Sequence, residues 1–418
     1  MPTVLLPGTL DTKGREYEFA RTLLARHAVS PLVIDFGILG EPAFPPDISA
    51  VEVARAGGAT LEALRFTREG SDTRVVALET MTAGLIQIVA QLHAEGRCAG
   101  ILGLGGSSGS TVISAAMRTL PLGVPKLLLS TMASGNVAGF VGTRDLYIGS
   151  SVTDIAGLNR VSRKLIANAV NAIVGMALGA ATALPESHQP LVAITMFGVT
   201  TPGVLRVVRR LEEHGFETIV FHAVGSGGRS MEAMIDEGLI DAVIDYTTSE
   251  LTDHHLGGIF SAGPHRLEAA ARRGLPQVVV PGSLEVLNFG PRQTLPPVFD
   301  VPERRLIVHN ANVCAVRTNV AESAELGRIF AEKVNRATGR TAVVLPLQGK
   351  DSYERPPDGP WINAEADHAM YNQIRGTLRP DIPLLEVDAN INDPVFADAT
   401  ASTFLQLWHS AHPAATPR

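Results

Sequence analysis

Short apolar runs alternate along this chain with longer stretches whose apolar residues recur at helical spacing. Residues 4–6, 32–34, 100–104 and 126–129 read as strands, and 16–26, 71–95, 110–119 and 159–178 as helices, the second of these broken. A polar stretch, Glu186-Ser187-His188-Gln189-Pro190, interrupts the pattern, which then restarts. Further strands are expected at 191–195, 218–221, 242–244, 277–280, 305–308, 342–345 and 384–387, with a last helix at 393–409 and a loose tail at 412–418. Continuous apolar strands alternating with helices belong to parallel sheets covered on both faces. The pattern therefore predicts an α/β protein. Its two doubly wound, Rossmann-like subdomains with mostly parallel sheets are 1–184 and 191–418, joined by a linker at 185–190.

The restart has the character of a weak internal repeat. Residues 3–8 correspond to 191–198, and each is followed by a helix ending near a histidine, His27 or His214. Leu127-Leu128-Leu129-Ser130 with Gly135-Asn136 similarly matches Val278-Val279-Val280-Pro281 with Gly282 and Asn288.

Composition narrows the class. The chain has 418 residues, 45% of them hydrophobic and 18% charged, which suits globular α/β domains with well-buried sheets. Its net charge of −7, with few aromatics and no basic stripe, excludes ordinary nucleic-acid binding. Two cysteines far apart, Cys98 and Cys314, fit a reducing cytoplasm, and no secretory signal opens the chain. Residues 165–184 carry no charge, but Asn168, Asn171 and many Ala and Gly residues mark a buried packing helix, so no membrane span is expected.

The chemistry concentrates where apolar runs end. The first run turns through Gly8-Thr9-Leu10-Asp11-Thr12-Lys13-Gly14 into a helix. Such a turn aims free backbone N–H groups and a helix dipole at one spot, favouring an anion. Thr9 and Thr12 add hydroxyls, Lys13 a cation, and Asp11 a ligand for a divalent metal. A second turn, Gly103-Leu104-Gly105-Gly106-Ser107-Ser108-Gly109-Ser110-Thr111, is alike. Neither turn ends in the Gly-Lys-Ser/Thr of a Walker loop. The acidic residue that would hold a dinucleotide's ribose is also missing, since that region reads Pro125-Lys126-Leu127. A mononucleotide is favoured over a nicotinamide cofactor, and magnesium would come with its phosphates.

Ligands of open parallel sheets bind beyond the carboxyl ends of the strands. Such positions here hold Asp35, residues 130–136, His222, residues 245–250, 281–283, 309–312 and 348–351. His222, His309 and Lys350 are the candidates for acid–base chemistry. Arg317 and Arg355 could fork onto a carboxylate or phosphate. His254 and His255 project about 100° apart on a helix, which disfavours a zinc site; Thr252 or Asp253 would cap that helix instead.

At these residues the chain resembles the ATP-binding domain family named after the tomato mosaic virus resistance protein, known in bacteria as uncharacterised protein family 0261. The motifs that carry the resemblance in the first half are Gly8-Thr9-Leu10-Asp11-Thr12-Lys13, Leu104-Gly105-Gly106-Ser107-Ser108-Gly109 and Met132-Ala133-Ser134-Gly135-Asn136. Those in the second half are residues 221–229, 281–284, His309-Asn310-Ala311-Asn312 and 347–351. The resemblance spans about residues 2 to 408. It implies two α/β subdomains, ATP binding with magnesium, and a homodimer. Plant members carry a further barrel domain and block viral RNA replication, a role that does not transfer to this chain.

The resulting expectation is an ATP-binding protein acting on a small acidic or carbonyl metabolite. Gly8, Thr9, Asp11, Thr12 and Lys13 would bind the nucleotide together with Gly105, Gly106, Ser107, Ser108, Gly109, Ser110 and Thr111, and with Met132, Ser134, Gly135 and Asn136; Asp11 would face the metal. His222, His309 and Lys350 would be catalytic, and Arg229, Glu250, Asn310 and Arg317 would hold the substrate. The alternatives are a hydrolase or lyase of a carboxylated metabolite that uses no nucleotide, and a non-catalytic module stabilised by ATP.

Overall fold

The computed structural model describes residues 1–66, 71–180 and 187–412. Residues 185–186 of the expected linker and 413–418 of the expected tail lie outside them. The chain divides into two compact units, Met1–Glu186 and Ser187–Arg418.

The N-terminal unit holds five strands: β1 (Thr3–Gly8), β2 (Ser30–Asp35), β3 (Gly100–Gly105), β4 (Lys126–Ser130) and β5 (Tyr147–Ser150). They form one parallel sheet in the order β2-β1-β3-β4-β5. Side chains alternate across a strand, so a run that is apolar throughout needs cover on both sides. Leu5, Ile34, Ile101 and Leu128 pack on one face beneath helices Ala50–Ala56, Ser71–Ala94 and Ser107–Met117. Val4, Leu6, Val33, Leu102 and Leu127 pack on the other beneath Leu10–Leu24 and Arg160–Gly179.

Segments Arg74–Ala94 and Arg160–Gly179 are each long and apolar enough to cross a membrane. Each instead lays one face on this sheet, through Ala77, Met81, Leu85 and Val89 and through Ile166, Val170, Ile173 and Val174. Burying such side chains stabilises by about 1.5–3 kcal/mol apiece for the larger ones. Besides the short helix Ala138–Val141, three short elements of this unit were not anticipated. They are the edge strand β5, whose Tyr147 is exposed, and the short helices Ala50–Ala56 and Leu61–Phe66.

In the C-terminal unit, β6 (Leu191–Met196), β7 (Glu217–His222), β8 (Ala242–Asp245), β9 (Gln277–Val279), β13 (Thr341–Pro346) and β14 (Leu384–Val387) form a parallel sheet in the order β14-β13-β9-β8-β6-β7. The remaining three, β10 (Val286–Phe289), β11 (Leu306–Asn310) and β12 (Val313–Arg317), make a separate antiparallel sheet in the order β10-β12-β11. The run at 305–308 was expected in the parallel sheet. It joins the antiparallel one because the chain reverses at Ala311-Asn312, where the Asn312 amide donates to the Asn310 side chain at 2.8 Å. Helix Pro394–Ala411 packs on the main sheet with Thr201–Glu212, burying Phe396, Ala397 and Phe404.

Candidate functional site

In the first sheet the chain leaves β1 towards β2 and then returns to build β3 on β1's other side. The carboxyl ends of β1 and β3 therefore flank a topological switch point, the place where open α/β sheets leave a crevice. Both anticipated turns meet there, and both are tighter than the sequence suggested. Helix Leu10–Leu24 begins two residues after β1 ends, and helix Ser107–Met117 two residues after β3.

Tyr17 makes the first turn possible. Its buried hydroxyl donates to the Pro7 carbonyl at 2.6 Å and accepts from the Leu104 amide at 2.9 Å, tying β1 to β3. Burial pushes the Tyr17 pKa up, so the phenol stays neutral. A side chain at Gly8 would collide with this ring, the Cβ falling 2.2 Å from it. Asp35, at the end of β2, accepts from the Leu10 and Gly37 amides at 3.0 and 2.9 Å. Its pKa is raised, chiefly by burial.

A cavity of about 340 Å³ lies beyond these strand ends. Phe36, Leu39, Met81 and Val112 give it apolar walls, while Thr9, Asp11, Thr12, Ser108, Arg65 and Arg74 give it polar ones. The Asp11 Oδ2 accepts from the Leu39 and Gly40 amides at 2.7 and 3.2 Å. Arg65 donates to the Gly40 carbonyl at 2.7 Å. Among the described residues, Asp11 Oδ1 and Arg65 Nε are buried and have no hydrogen-bond partner.

Helix Ser107–Met117 starts at this cavity without an acidic residue in its first turn and without a side-chain cap, because Gly106 is the N-cap. Its first amides therefore remain available to an anion. Gly105 needs to be glycine, since a Cβ there would fall 2.7 Å from the Ser110 amide. On the other side of the same helix start lies a polar groove of about 430 Å³. It is lined by Gly106, Ser107, Thr131, Met132, Ser134 and residues 150–154.

The anticipated nucleotide residues thus divide. Thr9, Asp11, Thr12, Ser108 and Gly109 line the cavity; Gly106, Ser107, Met132 and Ser134 line the groove. Gly8 and Gly105 shape the turns. Ser110 is buried against Ser130 at 2.7 Å, and Thr111 bonds back to the Ser107 carbonyl at 3.0 Å. Asn136 caps the following turn through the Ala138 amide, and Gly135 closes a turn onto Met132. Lys13 faces neither helix start. It sits one turn before Glu16 on the same side of the helix, and the two bond the Ile155 carbonyl and the Gly157 amide. Among the described residues no three His, Cys, Asp or Glu side chains come together to hold a metal.

The second switch point, between β6 and β8, is built differently. Arg266 is fully buried there. Its guanidinium bonds both Asp245 oxygens, the Glu250 carboxylate at 2.6 Å and the Thr247 carbonyl. Asp245 in turn accepts from Thr195 of β6 at 2.7 Å. Burial works against the charge of Arg266, but Asp245, Glu250 and Glu232 raise its pKa well above the ordinary value. Glu250, expected to face substrate, is turned inward: it also accepts from the Gly225 and Gly228 amides at 2.6 and 3.0 Å. Helix Glu250–Leu256 starts before Thr252 and Asp253, so neither caps it. They are buried instead on the Leu284 carbonyl and on Asn288.

Lys350 and Arg317 are also sealed in. Lys350 Nζ meets Glu354 at 2.7 Å, Asp367, and Glu285 at 3.8 Å. Arg317 meets Glu354 at 2.8 Å and Asp367 at 2.7 Å. Burial opposes the charge on Lys350, while Asp367, Glu354 and Glu285 raise its pKa. Glu285 lies fully buried, and among the described residues neither of its oxygens has a hydrogen-bond partner. Burial and then Glu354 hold its pKa well above the usual carboxylate range. The same two causes push Asp351 up to about 7.

Of the anticipated catalytic and substrate residues, His222, Arg229, His309 and Asn310 remain exposed on this unit. His222 lies beside Phe197, ring centroids 5.7 Å apart, and His309 Nδ1 meets the Tyr353 hydroxyl at 3.3 Å. Phe197 and Tyr353 pack on the same small core around Trp361. Arg229 donates to the Ser261 carbonyl at 2.8 Å, and Asn310 shapes the β11–β12 turn. Arg355 pairs with Asp393 at 2.6 Å.

Residues 2–182 match the N-terminal domain, and residues 189–408 the C-terminal domain, of Uncharacterised protein family UPF0261. The chain belongs to this family. A UPF0261 protein of Clostridium tetani is 41% identical over 405 residues, covering 97% of this chain and 98% of that one. The ToMV resistance protein Tm-1(GCR237) of Solanum lycopersicum is 34% identical over 432 residues, covering 97% of this chain but 56% of the tomato protein. Among solved structures, a UDP-N-acetylglucosamine 2-epimerase aligns over 100% of this chain and 98% of its own, at 10% identity and a TM-score of 0.24. That likeness is too low to carry an argument about function.

Proposed function

We propose that the N-terminal unit binds a magnesium nucleotide, with ATP as the ligand. The supporting observation is the cavity at the β1–β3 switch point, where an apolar chamber adjoins an uncapped helix start. Its volume and mixed lining suit one small organic ligand. The base would enter the cavity, and the phosphates would cross the first amides of helix Ser107–Met117 towards the hydroxyl-rich groove. Magnesium keeps several waters and needs few protein oxygens, so it would travel on the phosphates. The C-terminal unit would offer its exposed His222, Arg229, His309 and Asn310 to a small acidic or carbonyl substrate. The committed bonds of Lys350, Glu250 and Arg317 suit a positioning role instead.

Calorimetric titration with ATP and magnesium, followed by an assay of ADP release, tests this reading. Binding with release makes the protein an enzyme that splits ATP. Binding without release, with a melting temperature that rises with ATP concentration, makes ATP a stabilising ligand. Absence of binding overturns the nucleotide reading and leaves the cavity to a different small molecule.

A further inference from the structure

At the end of the second sheet remote from its switch point, before the amino ends of β8, β9 and β13, lies a cavity of about 750 Å³. The turns that lead into these three strands line it, together with Trp408 and His412. None of its residues enters the nucleotide reading or the exposed set His222, Arg229, His309 and Asn310.

The cations of this cavity are unspent. Arg272 meets Asp236 at 2.8 Å, and Arg336 meets Glu268 at 2.5 Å. Arg273 and Arg340, which line the cavity and are exposed, behave differently. Among the described residues neither guanidinium makes an ion pair or a hydrogen bond. Asp241 is the carboxylate in the lining, and its Oδ2 accepts from the Leu191 amide at 2.8 Å. Arg273 lies in the last turn of helix Ala269–Arg273, where a cation also suits the carbonyl end of the helix. That reason does not reach Arg340, which stands outside any helix, just before β13.

The backbone adds donors and room. Among the described residues the amides of Gly339 and Arg340 donate to no protein acceptor. A Cβ on Gly339 would fall 2.2 Å from the Gly274 carbonyl oxygen, so two turns meet here backbone to backbone. A Cβ on Gly238 would fall 2.8 Å from Arg273 Nη2, so the bare glycine leaves that guanidinium its place beside the cavity. Two successive free amides and two guanidiniums make a donor set with nothing of the protein to accept from it.

We propose that this cavity binds the phosphate group of a small phosphorylated molecule, through Arg273, Arg340 and the amides of Gly339 and Arg340. A carboxylate offers two oxygens in one plane. A phosphate monoester offers three on a tetrahedron, and so serves donors that arrive from separate turns. The cavity is larger than one phosphate ion requires, which leaves space for the organic part.

The test is calorimetric titration with ribose 5-phosphate, inorganic phosphate and succinate, on the wild type and on Arg273→Ala, Arg340→Ala, the double variant and Arg340→Lys. The wild type should bind both phosphates and prefer them to succinate. Each alanine should weaken the phosphates by about tenfold, the worth of a hydrogen bond to a charged group. Arg340→Lys should retain part of the affinity, because lysine keeps the charge but loses the fork. Melting temperatures without ligand should match the wild type, since both side chains are exposed and unpaired. Tighter binding of ribose 5-phosphate supports an organic ligand, and tighter binding of inorganic phosphate supports the free ion at the same donors. Phosphate affinity unchanged in the double variant overturns the inference and moves the anion elsewhere, as to the uncapped helix start of the N-terminal unit. A wild type that binds neither phosphate, or binds succinate as tightly, overturns it as well.

Discussion

The two parallel sheets reach their switch points with opposite solutions. Between β1 and β3 the N-terminal unit leaves a cavity of about 340 Å³ lined by Thr9, Asp11, Thr12, Arg65 and Arg74 among others. Between β6 and β8 the C-terminal unit places its own Arg266, whose guanidinium is met by Asp245, Glu250 and Glu232. The first leaves a cavity over its strand ends; at the second, Arg266 and its carboxylates satisfy one another. The same architecture therefore supplies a binding site or a structural core according to whether a loop residue reaches back over the strand ends.

Breaking the filled switch point should have the largest effect. Arg266→Met strands Asp245 and Glu250 as unpaired buried carboxylates, and removal of one partner from such a network costs about 3–5 kcal/mol. Urea unfolding should show the loss; a midpoint equal to the wild type would mean that Arg266 does not hold this region together.

Filling the open switch point should do the reverse. Ala77 lines the cavity and is itself buried. Ala77→Phe should intrude on the ligand's space and weaken ATP by about tenfold or more, at a stability cost of about 1–3 kcal/mol, because Ala77 also packs in the core beneath its helix. Paired titration and melting measurements separate the two quantities. A large fall in melting temperature would show that the walls are too rigid to admit the ring.

The smallest effect on ATP affinity belongs to Asp351, which acts on stability through pH. Asp351 has a folded pKa of about 7 against an ordinary value of 3.8. The folded state therefore holds more protons than the unfolded state between those values. Stability contributed by this group is present below about pH 4 and is lost as pH rises towards 7. Asp351→Asn should flatten that decline in melting temperature without altering ATP affinity. An unchanged pH profile would place the proton elsewhere, with Glu285 as the next group to test.

Much of the N-terminal site was legible as sequence. Gly8, Thr9, Asp11 and Thr12 announced themselves because an apolar run ended in glycine just before a helix, a local signal. Ser107 to Gly109 did so for the same reason. Arg65 and Arg74 were not anticipated, since they come from helical segments about fifty or more residues beyond β1, and only packing of Leu61–Phe66 and Ser71–Ala94 over the sheet brings them in. Lys13 was read as a phosphate counter-charge because of its position beside Thr12, but one further step around the helix turns it towards Ile155. Arg266 carried no signal, and Lys350 and Arg317 read as catalytic and substrate residues because they follow apolar runs whose ends face ligands in open sheets. The bonds they make run to residues far away in sequence, as from Arg317 to Asp367.

The amino-acid sequence by itself determined the α/β class, most of the strands and the two glycine turns, because apolar periodicity and turn chemistry act over a few neighbouring residues. Tertiary structure alone decided which polar groups would be paired. That choice depends on which distant segments meet over the carboxyl ends of the strands: Arg266 reaches Asp245 and closes one switch point, while Asp11 and Arg65 both bond Gly40 and line a cavity at the other.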